Sequence, residues 1–165
     1  MTAQTAFTPE EWTLLRIVPP LVTAGVSAAD PGGVFGAVKE AASGMMGMVE
    51  SLKGSSQLEL MGALLADKSR PEVPDPKSML GDGTREQQIA NFKSALMAKI
   101  GEASDLVSRK ASPEEAQAYK QMLMTVAERA ANAAKEGGFL FFGGERVSAP
   151  EQAFLSEVKT TLQLA

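Results

Sequence analysis

The side chains of this chain that could do chemistry are carboxylates, lysines, hydroxyls and a single tyrosine, Tyr119; its 165 residues include neither histidine nor cysteine. Disulfides, thiol nucleophiles, histidine bases and the usual zinc sites are therefore excluded. A ferritin-like di-iron bundle needs Glu-x-x-His pairs and is excluded in that form. Two carboxylate pairs occur, Glu10 with Glu11 and Glu114 with Glu115, and each follows a hydroxyl and a proline (Thr8-Pro9, Ser112-Pro113). Acids placed that way satisfy the unpaired amides and the positive pole of a helix start, which is a capping role and not an acid–base couple. The serines and threonines have no base of suitable pKa beside them. We expect no catalytic residue, no metal site and no cofactor, and hence not an enzyme.

Two segments imitate ligand loops. Asp30-Pro31-Gly32-Gly33 has turn glycines but lacks the preceding strand and the Lys-Ser/Thr of a phosphate loop, so it reads as a helix–helix turn. The segment before Glu151 has an EF-hand outline, with Val147 at the central apolar position. Counting back puts Leu140, Phe142 and Gly144 where calcium needs side-chain oxygens, so it cannot hold calcium that way.

The elements that position these residues are helices. Thr8-Pro9-Glu10-Glu11, Thr84-Arg85-Glu86-Gln87, Ser112-Pro113-Glu114-Glu115 and Ser148-Ala149-Pro150-Glu151 are four capping-box starts. Apolar residues then recur every three or four positions: Trp12, Leu15, Val18, Val22 and Val26; Val38, Ala42, Met45, Val49 and Leu52; Phe92, Leu96, Ile100 and Val107; Tyr119, Leu123, Val126 and Ala130; Phe154, Val158 and Leu162. Leu58, Met61, Leu64 and Leu65 mark a shorter helix. The pattern predicts helices near 9–29, 34–53, 56–67, 85–109, 113–136 and 149–163, an all-α irregular bundle of five to six helices in one domain over 1–165. Residues 68–83, with Pro71, Pro74, Pro76, Gly81 and Gly83, read as a loop or extended arm.

Three local features stand out. Pro19 and Pro20 lack backbone donors and leave the carbonyls of Leu15 and Arg16 unpaired if the first helix is continuous; it either kinks there or ends near Ile17 and restarts at Pro20, and its unbroken apolar phase favours a kinked continuous helix. Gly36, Ala37, Ala41, Ser43, Gly44 and Gly47 thin out the second helix, which points to close approach of another backbone; Met45, Met46 and Met48 beside them suit an adaptable contact. Phe139-Leu140-Phe141-Phe142, then Gly143-Gly144 and Glu145-Arg146-Val147, read as a miniature β-hairpin between the last two helices, with one apolar face to spare. An offset of 104 residues relates the Thr8 and Ser112 boxes, Gly33 and Gly137, and Phe35 and Phe139, the pattern of an internal duplication.

The stretch from Glu136 to Glu151 resembles the helix–GGFLxFGG–helix end of small bacterial all-helical proteins, whose first helix carries a similar Trp and Pro pattern. That resemblance implies a bacterial origin and a helical fold, and supplies no activity. A second similarity, to the tellurite-resistance helical fold, carries no metal inference, because the loops of that fold are acidic where this one is apolar.

A net charge of −4, with acids and bases interleaved, speaks against a nucleic-acid partner. The first residues show no basic or apolar leader, and the longest charge-free run of the first half is broken by Pro19-Pro20, so we expect no membrane span and a cytoplasmic protein. The leading expectation is a non-catalytic protein-interaction or structural module that self-associates as a homodimer; the alternative is a binder of an apolar small molecule, such as an acyl chain, between helices. The candidate surface is Phe139, Leu140, Phe141, Phe142, Met45, Met46 and Met48.

Overall fold

The computed structural model describes residues 4–29, 34–71, 76–133 and 147–164, and they are all-helical. After a short 3-10 turn at Gln4–Ala6 come α1 (Pro9–Ala29), α2 (Val34–Gly54), α3 (Glu59–Ala66), α4 (Pro76–Leu80), α5 (Arg85–Lys110), α6 (Pro113–Ala133) and α7 (Ala149–Thr161). All four capping boxes form. Thr84 and Ser148 exchange hydrogen bonds with Gln87 and Glu151, and Thr8 and Ser112 do so with Glu11 and Glu115. The starts were legible because each depends on contacts only three residues apart.

One expectation needs correction. Seven α-helices, not five or six, lie among the described residues, because α4 occupies part of the stretch read as a loop. Pro76 can open that helix without losing a hydrogen bond. Gly81 and Gly83, at φ of 64° and 137°, then turn the chain into α5. On α2 the apolar repeat divides: Ala42, Met45 and Val49 are exposed, while Leu52 is buried. The inward face is the glycine face. A Cβ on Gly44 would lie 2.5 Å from the Thr23 hydroxyl of α1, and one on Gly47 would lie 2.8 Å from the Arg129 side chain of α6. The glycines leave room for the Thr23 and Arg129 side chains, and that fit, not the bulk of the α2 residues, sets the docked face. The expected hairpin, with Phe139, Leu140, Phe141 and Phe142, lies outside the described residues.

At the centre is α1, packed by α2, α5, α6 and α7. Its expected stripe is buried, and a second stripe, Leu14, Ile17, Leu21 and Gly25, is buried too. A Cβ on Gly25 would meet Leu96 and Phe154 at 2.3 and 2.5 Å. By length and apolarity α1 could cross a membrane, but 61% of its most apolar window is buried inside the protein, which is the environment of a core helix. The helix is continuous through Pro19 and Pro20.

Candidate functional site

The prolines of α1 shape the site. Pro19 cannot donate to the Leu15 carbonyl, and Tyr119 of α6 takes its place, its hydroxyl donating at 2.8 Å. Both residues are fully buried. Burial pushes the Tyr119 hydroxyl well above the ordinary tyrosine range, so it stays a proton donor at every working pH. Tyr119 is thus a structural donor to the interrupted helix.

On the outward side of the same prolines lies a groove of about 340 Å³, within the size range of small-molecule sites. Leu15, Pro19 and Pro20 of α1 form its floor; Met45, Met48 and Leu52 of α2, Leu64 of α3 and Met122 of α6 form its walls. The Leu15 side chain and the proline rings make this floor apolar. One end is polar, formed by Arg16 and the segment after α3, with Asp67, Ser69, Arg70 and Pro71.

That end is held by a compact network. The Asp67 carboxylate accepts from the Trp12 indole N–H at 2.9 Å, from the Ser69 amide at 2.9 Å and from the Ser69 hydroxyl at 2.7 Å. It also pairs with the Arg16 guanidinium at 3.1 Å. Arg16 in turn donates to the Ser69 hydroxyl at 2.9 Å and to the Ser69 carbonyl. The Ser69 hydroxyl first, then the Trp12 N–H, with the Arg16 charge adding to them, hold the Asp67 carboxyl at about 2, below its ordinary 3.8. A carboxylate so fully engaged is a staple fixing the segment after α3 to α1; it has no lone pair left for proton transfer.

Glu115, read as a cap of its own helix, does that and more. One oxygen takes the Ser112 amide and the other the Leu60 amide, each at 2.9 Å, so a single carboxylate caps α6 and α3 together. The start of α3 has no side-chain cap of its own at Leu58. Burial of Glu115 works to raise its pKa, but these amides and the Ser112 hydroxyl outweigh it and the pKa is lowered.

Of the residues singled out from sequence, Met45 and Met48 line the groove and Met46 does not. Met46 points outward at 59% exposure beside Met45 at 39% and Val49 at 36%, an apolar stripe along α2. Phe139, Leu140, Phe141 and Phe142 lie outside the described residues. Arg16, Leu64, Asp67, Ser69, Arg70 and Met122 were not singled out. A local signal existed for one pair, since Asp two residues before Ser favours the Asx turn seen at Asp67–Ser69. Among the described residues no cluster of acids could hold a metal ion. No protein-family model, no curated protein and no solved structure matches this chain.

Proposed function

We propose that this is a non-catalytic protein that binds an apolar small molecule in the groove bounded by α1, α2, α3 and α6. The observation that carries the reading is the lining: apolar walls over most of the groove and a few polar groups gathered at one end, the composition of small-molecule sites. Three of its walls suit an adaptable fit, because Met45, Met48 and Met122 are unbranched and polarisable. We place such a binder in a bacterial cytoplasm. The test is native mass spectrometry of the full chain purified from cells, before and after delipidation. Extra mass at one molecule per monomer, restored by adding dodecanoic acid, is the expected result. A chain that arrives bare and takes up nothing overturns the reading.

A second reading, self-association as a homodimer, has its own support in the exposed stripe of Ala42, Met45, Met46 and Val49 on α2. Analytical ultracentrifugation of the full chain and of Met46→Glu separates the two. A dimer that the substitution dissociates supports self-association, and a monomer at all concentrations removes it.

A further inference from the structure

We infer that the occupant of the groove is a single-chain acyl carboxylate, with its head at Arg70 and its chain running over Pro19 and Pro20 and past Met45. This rests on the groove-binding reading above and names its ligand class. The first support is charge. Among the described lining residues two guanidiniums, Arg16 and Arg70, face one carboxylate, Asp67, which leaves one positive charge over. Asp67 is engaged by Trp12, Ser69 and Arg16, and Arg16 is engaged by Asp67 and Ser69. Arg70, exposed at the polar end, is therefore the cation placed to meet a ligand. A monoanionic head matches that surplus, and a planar carboxylate matches the fork of a guanidinium.

The second support is length. Beyond Pro20 and Met45, which belong to both, an adjoining trough of about 300 Å³ continues between α1 and α2. Among the described residues its other walls are Thr23, Ala24, Ser27 and Ala41, none of them charged. From Arg16 to Ser27 along α1 is about 16 Å at a rise of about 1.5 Å per residue, the reach of an extended acyl chain of medium length. Met45, on the boundary and partly exposed, can swing aside to join the two spaces.

The test titrates the full chain with dodecanoic acid and with its methyl ester, read by calorimetry and by fluorescence of the single tryptophan, Trp12, whose indole bonds to Asp67 at the groove's end. The acid should bind about tenfold or more tighter than the ester. Arg70→Ala should bring the two within about twofold of each other, and Arg70→Lys should restore part of the difference. Because Arg70 is exposed, an unchanged thermal midpoint shows that its loss leaves the fold intact. Met45→Trp, which fills the boundary, should weaken dodecanoate while leaving octanoate nearly unchanged. An ester that binds as tightly as the acid, or a preference that survives Arg70→Ala, overturns the carboxylate inference and leaves groove binding standing. If neither ligand saturates, groove binding itself fails.

Discussion

Removing one oxygen atom, by Tyr119→Phe, should reveal how α1 tolerates two consecutive prolines. The Leu15 carbonyl has lost its helical donor to Pro19 and receives the Tyr119 hydroxyl at 2.8 Å instead. Both residues are at 0% exposure, so no water can replace the hydroxyl. A buried acceptor left without a donor costs about 1–3 kcal/mol. In a chain of this size 2 kcal/mol corresponds to roughly 4–8 °C in Tm. The informative experiment is a double-mutant cycle with Pro19→Ala, which returns an amide at position 19 to the Leu15 carbonyl. In that background the phenolic hydroxyl is no longer needed, and Tyr119→Phe should cost about 1–2 kcal/mol less. Pro19→Ala alone mixes a regained hydrogen bond with a lost buried ring, so its own sign is uninformative and the coupling is what is read. Urea unfolding followed by circular dichroism measures all four proteins. A cost for Tyr119→Phe below about 0.5 kcal/mol, or an equal cost in both backgrounds, would refute the substitution of a side-chain donor for the missing amide.

Three further outcomes follow from the geometry and a fourth from the sequence. The folded Asp67 carboxyl sits at about 2 against 3.8 when unperturbed, so its contribution is present above pH 4 and is lost as pH falls through 2. Wild type should lose about 2 kcal/mol across that window relative to Asp67→Asn, and parallel acid-unfolding curves would contradict the staple. Gly25→Ala places a methyl group at 2.3 Å from Leu96 and 2.5 Å from Phe154 and should destabilise by about 1–3 kcal/mol despite better helix propensity. Gly47→Ala meets only the movable Arg129 side chain and should be near neutral in the same melting experiment. For Phe139 to Phe142, whose role rests on sequence alternation alone, the alanine series should split into one set that lowers Tm and another that changes self-association or ligand retention. Uniform loss of Tm with unchanged sedimentation would make the whole segment core.

What could be read from the sequence was what depends on near neighbours. Capping boxes close over three residues, and α5, α6 and α7 bury the stripes their periodicity announces, from Phe92 to Val107, Tyr119 to Ala130 and Phe154 to Leu162. The unpaired Leu15 carbonyl followed from the chemistry of proline; its donor, 104 residues away, did not. The inward face of α2 follows its glycines and not its larger apolar residues. Hydrophobic periodicity assumes that the larger apolar side chains face the core, whereas Gly44 and Gly47 turn inward to make room for the Thr23 and Arg129 side chains. The second buried stripe of α1 was present in Leu14, Ile17 and Leu21, and would have marked it as the central helix. Of the groove, Met45 and Met48 were visible; its polar end joins Trp12 and Arg16 to Asp67 and Ser69, more than fifty residues on, and that pairing has no local signature.

The methionines make the central claim directly measurable. Met45, Met48 and Met122 line the groove, while Met46, Met61, Met79, Met97 and Met124 do not. In the full chain labelled with carbon-13 at its methionine methyl groups, titration with dodecanoic acid should shift the resonances of Met45, Met48 and Met122 to saturation at one equivalent. Met46, exposed on the neighbouring stripe, and Met61, fully buried in the core, should stay in place. Unmoved groove methionines, or a Met46 resonance that moves with protein concentration while Met48 and Met122 do not, would contradict ligand binding in the groove.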